Sequence, residues 1–206
     1  MSPDIFGDNV IYISPIPYSR AIIVESALRL FFLPNEFYRG KFMTDFNLAD
    51  LEKQRDSILK SGQTLIIAAQ DSGGIPQMGV TPTIRMNGHF YIYPSRLSAH
   101  VRAMLAAGEA QFLIIEDEGN AQNIWARKRI KFDSNIIEIK RKSDEFNEAC
   151  KAFSKAHGPT MDLIRDFTDF HLLKLLPREG VMVLGFAKAF ALSGLDLQIT
   201  KHLSES

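Results

Sequence analysis

The chain has 206 residues, 46% of them hydrophobic, and its 24 lysines and arginines are balanced by 24 aspartates and glutamates. That is enough for one well-buried core and too little for two full domains, and a formal charge of zero supplies no positive field to hold nucleic acid, so that class of partner is set aside. The single cysteine, Cys150, cannot close an internal disulfide, which fits a reducing, cytoplasmic setting.

Residues 1–42 form an N-terminal segment that fits no fold, with an apolar stretch from Ala21 to Leu33. Glu25 and Arg29 interrupt that stretch, and it falls short of the roughly 20 clean residues a membrane span needs, so neither a membrane partner nor a signal peptide is expected. Met43 stands as an alternative start, and residues 43–206 are expected to form the main domain. A helix is expected from Leu48 to Lys60, with Leu48, Leu51, Ile58 and Leu59 facing inward.

From Thr64 the pattern becomes strand-like. Thr64 to Ala69, Gly79 to Arg85 and His89 to Tyr93 alternate with turns at Asp71-Ser72-Gly73-Gly74 and Asn87-Gly88, the pattern of an antiparallel meander. Leu97, Val101, Met104 and Leu105 recur at helical spacing, followed by a strand from Gln111 to Ile115 that ends in Glu116-Asp117-Glu118. Ala126 to Phe132 alternates again, and a turn at Asp133-Ser134-Asn135 is expected to return it into Ile136 to Ile139. Helices are expected over Asp144 to His157 and Pro159 to Phe167, then short strands from Phe170 to Leu175, Val181 to Phe186 and Lys188 to Leu192, with Pro177 to Gly180 as a break. Around seven short strands with few helices predict a mostly β chain with flanking α-helices (α+β), closed as an antiparallel barrel that leaves no bare sheet edge.

No phosphate loop, zinc-protease motif, paired-cysteine metal site or nucleophile elbow is present. Period-two geometry puts Arg127, Arg129 and Lys131 on one strand face, opposite Ile130 and Phe132. Such a row suits phosphate or carboxylate oxygens, which guanidinium forks bind in pairs, and it equally suits a charged, solvated strand face. Ser95-Arg96-Leu97-Ser98-Ala99-His100 opens a helix just after a strand, where hydroxyls and first-turn amides hold an anion or simply cap the helix. His100 falls on the apolar stripe, where a histidine is either a packing or interface residue or a cofactor-binding one, and it is kept among the candidate cofactor-binding residues. Asp169, between Phe167 and Phe170, needs a partner for its carboxylate. His202, in the run Lys201 to Ser206, reads by itself as part of a solvated tail.

Together these stretches resemble the bacterial haem-utilisation family of split-barrel haem oxygenases, related in fold to the flavin-dependent pyridoxamine-phosphate oxidases. The blocks that carry the likeness are Ser95 to Arg102, Ile115 to Glu118 with Ala121, Ala126 to Arg129, Asp169-Phe170, and Leu175 to Phe190. The resemblance implies an antiparallel split β-barrel acting as a homodimer, with haem at the dimer interface opened oxidatively to a biliverdin-type product, carbon monoxide and iron, using oxygen and an electron donor. It assigns Asp169 to the carboxylate that reaches across the interface to the axial histidine, and Arg129 to the cation on the distal side. The family's axial histidine lies in a C-terminal tail; His202, a few residues early, is the nearest counterpart here. In the flavin branch of the fold, FMN would replace haem, with Ser95, Arg96 and the cationic strand of Arg127, Lys128 and Arg129 around its phosphate. A non-enzymatic haem-binding module is the third alternative.

Overall fold

The structure is a computed structural model and describes residues 46–203. The expectations for residues 1–42 and for a start at Met43 lie outside the described residues. Helix α1 (Leu48–Ser61) starts at Asn47, whose side chain accepts the Ala49 N–H, and it buries Leu51, Ile58 and Leu59. Leu48, expected to face inward, is exposed: it occupies the first helical position, before the apolar stripe turns toward the barrel.

Strands β1 (Thr64–Gln70), β2 (Pro76–Met86) and β3 (His89–Ile92) form the expected meander. Its second turn, Asn87-Gly88, has positive φ at both residues, as a two-residue hairpin requires. Helix α2 (Ala99–Ala107) and strand β4 (Glu109–Ile115) follow, then two 3-10 turns (Glu118–Asn120 and Ile124–Ala126) and strand β5 (Arg129–Glu138). Helices α3 (Asp144–His157) and α4 (Thr160–Ile164) lead to β6 (Leu173–Val183), β7 (Ala189–Ser193) and β8 (Gln198–Leu203). The strand order is β3-β2-β1-β4-β5-β6-β7-β8, and an added β3–β6 pairing closes the first six into an antiparallel barrel. β7 and β8 continue from β6 as a ribbon.

Alternation along the strands fills the barrel. Leu65 and Ile67 of β1, Phe112 and Ile114 of β4, and Ile130 and Phe132 of β5 are buried inside it. The Phe132 ring stacks between Phe90, at 5.3 Å, and Phe112, at 5.5 Å. A second apolar cluster holds α3 and α4 against the outside of β3, through Tyr91, Tyr93, Phe146, Cys150, Phe153 and Met161. Cys150 is packed there, and burial pushes its thiol pKa up.

Four sequence expectations are corrected. Asp133-Ser134-Asn135 is no turn: β5 runs through it with a bulge between Phe132 and Ser134, because both halves pair with the same neighbour, β6. Pro177 to Gly180 does not break β6 either, since Pro177 pairs with Ser134 immediately after the bulge, where irregular pairing tolerates a residue without an N–H. The expected helical stripe begins too early: α2 starts at Ala99, and Leu97 is 75% exposed in the preceding loop. The terminal run is not a bare tail, for residues 198–203 pair with β7 as β8.

Candidate functional site

One group of expected site residues gathers where the chain leaves β3 and enters β6. Ser95 and Phe170 form an isolated antiparallel bridge, and the Arg96 N–H donates to the Asp169 carbonyl at 2.7 Å. The Ser95 hydroxyl donates to Asp169 Oδ2 at 2.5 Å and accepts the Leu97 N–H at 3.1 Å. Ser95 thus does not cap α2, whose N-cap is Ser98; it fixes a carboxylate instead. The Arg96 side chain is exposed beside it.

A residue the sequence reading missed holds this loop in place. The Arg141 guanidinium donates to the Arg165 carbonyl at 2.7 Å, to the Phe170 carbonyl at 2.6 Å and to the Phe167 carbonyl, and it lies over the Phe146 ring. Nothing in the sequence marks Arg141, because its partners are main-chain carbonyls that any residue supplies.

His100 projects from α2 onto β2, and its ring fills the space where Gly79 has no side chain: a Cβ at Gly79 would stand 2.1 Å from the imidazole. Burial lowers the His100 pKa and favours the neutral ring. The ring borders an apolar cavity of about 270 Å³ lined by Val80, Pro82, Phe153, Met161 and Phe170. His100 is therefore built in as a packing residue of the α2–β2 contact.

The second group lies at the far end of the barrel. Arg127 precedes β5 and folds back on the acidic run: its guanidinium donates to the Glu116 carbonyl at 2.8 and 2.5 Å and to Glu118 Oε1 at 3.2 Å. Main-chain pairing of Lys128 with Glu116 closes the same loop and leaves the lysine side chain in solvent. Arg129 opens β5, donates to the Arg127 carbonyl at 3.0 Å and is half-buried. His202 sits on β8 opposite Phe190, its Nε2 donating to the Ala187 carbonyl at 3.0 Å.

Arg129 pairs with Val183, Val183 with Ala189, and Ala189 with Leu203, so Arg129 and His202 share one end of the sheet. Asp169 and Ser95 precede Leu173, at the opposite end of the 11 residues of β6. At about 3.3 Å per residue the two groups are on the order of 30 Å apart along the strand. Among the described residues, one copy of the chain does not bring all the expected site residues together.

No family model matches the chain. Among curated proteins it is 28% identical over 155 residues to the haem oxygenase HutZ of Vibrio cholerae, an alignment covering 75% of this chain and 88% of that one. Among solved structures it superposes on Campylobacter jejuni ChuZ with a TM-score of 0.70 at 25% identity, covering 77% of this chain and spanning 64% of ChuZ's length. It also superposes on a Clostridium acetobutylicum protein of the pyridoxinephosphate oxidase family with a TM-score of 0.54 at 10% identity, covering 72% of this chain and 96% of that one, a likeness of fold alone.

Proposed function

We propose that the chain is a member of the haem-utilisation split-barrel family, and that it binds haem between two copies of itself and degrades it for its iron. The reading is carried by the alignment with the haem oxygenase HutZ, which covers 155 residues, 75% of this chain. Haem is the substrate: its opening to a biliverdin-type product, with release of iron and carbon monoxide, consumes oxygen and electrons from a separate donor.

The donor set fits such a substrate. Lys128 and Arg129 offer cations to the propionates, and guanidinium forks pair well with carboxylates. Arg129 would also supply a permanent positive charge to stabilise negative charge that develops during the reaction. Asp169, held through Oδ2 by Ser95, would keep Oδ1 for the N–H of an axial imidazole, an arrangement that orients the ring and raises its basicity. His202 is the imidazole at the cationic end; to serve through Nε2 it would give up the Ala187 carbonyl.

The separation of these groups along β6 favours a homodimer, in which Asp169 of one copy meets the Arg129 and His202 end of the other. Exposed apolar side chains around Asp169, namely Leu97, Phe167 and Val80, supply a surface of the kind such contacts bury.

The test is a haem titration of the purified protein by absorption, followed by ascorbate and oxygen, with FMN titrated in parallel and the mass measured by light scattering. A dimer that takes up haem with a sharp Soret band, converted to a bilin spectrum on reduction, is the expected result. Stable haem binding without turnover would make the protein a haem-binding module. Uptake of FMN with none of haem would move it to the flavin branch of the fold.

A further inference from the structure

Two large aromatic side chains stand in solvent at the Arg129 end of the barrel. Trp125, the single tryptophan of the chain, is 82% exposed, and Phe186 is 69% exposed. Neither sits on a loose loop. The Asn123 side chain accepts the Trp125 N–H at 2.9 Å, and Arg127 ties the end of that turn to the Glu116 carbonyl. Phe186 occupies the tip of the β6–β7 turn, where Leu184 and Lys188 are hydrogen-bonded and Ala187 has a φ of 56°, a conformation costly for a residue with a Cβ. His202 bonds the Ala187 carbonyl in that turn. Two ordered turns thus present aromatic rings to water, the kind of exposure that marks a contact surface.

Their placement narrows the partner. Trp125 belongs to the β4–β5 connection and Phe186 to the β6–β7 connection, and β5 and β6 are neighbours, so the two turns flank Arg129 and Val183. With strands about 4.8 Å apart, the midpoints of the two hairpins are separated by on the order of 10 Å. A guanidinium between two aromatic tips is complementary to a flat, apolar ring that carries carboxylates. Of the acidic side chains in the β4–β5 connection, Glu118 is engaged by Arg127 and Glu116 by the Lys128 N–H, while Asp117 is exposed.

We propose that Trp125 and Phe186 form an aromatic pincer that grips the tetrapyrrole plane at the Arg129 end, so that ring shape is recognised independently of iron. This rests on the haem reading above and adds to it a pair of residues that select the ligand by stacking. Iron coordination and ring stacking are separable, because protoporphyrin IX offers the same plane and propionates without the metal.

The experiment titrates haem and iron-free protoporphyrin IX into the full chain and into Trp125→Ala, Trp125→Phe and Phe186→Ala, with the mass of each variant measured by light scattering. The expected result is a loss of about tenfold in affinity for both ligands in the two alanine variants, with Trp125→Phe near the parent and the mass unchanged. Parental affinity for protoporphyrin IX in both alanine variants would overturn the pincer and leave the haem reading standing. A parent that takes up neither ring would overturn both. If the alanine variants lose affinity only together with a halved mass, the aromatics belong to a protein interface and the proposal fails.

Discussion

The hydroxyl of Ser95 donates to Oδ2 of Asp169 at 2.5 Å while accepting the Leu97 N–H at 3.1 Å, so one side chain ties together the end of β3, the approach to α2 and the entry to β6. A carboxylate held this way has lost rotamer freedom before any ligand arrives, and the geometry it offers is preset.

Replacing Ser95 with Ala removes both bonds. The expected cost to stability is modest, about 1 kcal/mol, because Asp169 is partly solvated and water takes over one bond. The expected cost to function is larger: Asp169→Ala and Ser95→Ala should both shift the Soret band, the serine variant by less. If Ser95→Ala leaves the spectrum at the parental position, the carboxylate needs no such support.

Gly79→Ala tests the seat of His100. The added methyl would lie 2.1 Å from the ring, so α2 must move away from β2 or the ring must turn out. Overpacking of this kind costs about 1–3 kcal/mol. Removing the ring as well, in Gly79→Ala with His100→Ala, should recover part of that loss, and a thermodynamic cycle measures the coupling. Strict additivity would show that the two positions do not collide.

The barrel was readable because its evidence is periodic. Ile130 and Phe132 alternate against Arg129 and Lys131, and the structure buries the first pair completely. Asp133-Ser134-Asn135 misled because its composition is that of a turn, whereas pairing with β6 on both sides keeps the strand going through a bulge, a tertiary effect no local pattern carries. The site was readable only in pieces. Ser95 and Asp169 are 74 positions apart in sequence, and their hydrogen bond becomes visible only once the chain has folded. Arg127 looked like a ligand-binding cation of the strand face; it is committed to Glu116 and Glu118 because it precedes the strand rather than lying in it.

Two half-buried groups, His100 and Glu145, shape the response to acid, in different windows. Burial lowers the His100 pKa below its ordinary 6.5, so as pH falls through 6.5 the unfolded chain binds a proton that the folded chain resists, and stability declines. Glu145, which accepts the Tyr91 hydroxyl at 2.6 Å and lies 3.2 Å from the Lys174 ammonium, has its pKa lowered from 4.5, chiefly by the tyrosine bond. Its contribution is complete above 4.5 and is lost as pH falls through the lowered value. Urea midpoints measured from pH 7.5 to 3 should decline in both windows. His100→Gln should flatten the upper window alone, and Glu145→Gln the lower. A parental slope near pH 6 in His100→Gln would remove His100 from this account.

Arg127 and Arg129, two residues apart, should separate cleanly on substitution. Arg127 spends its guanidinium on the Glu116 carbonyl and the Glu118 carboxylate, so Arg127→Ala leaves a carbonyl without its donors and frees the β4–β5 connection. The expected loss is about 1–2 kcal/mol, with faster amide hydrogen exchange over residues 116–128 in the absence of any ligand. Among the described residues Arg129 donates only to the Arg127 carbonyl, so Arg129→Ala should leave exchange in that connection near the parental rate while slowing bilin formation more than it weakens haem uptake. Hydrogen exchange followed by mass spectrometry, with turnover measured on the same samples, distinguishes the two. Loosening of the connection by Arg129→Ala as great as by Arg127→Ala would mean that both arginines serve the loop, and the distal role would pass to another cation, with Lys128 next in line.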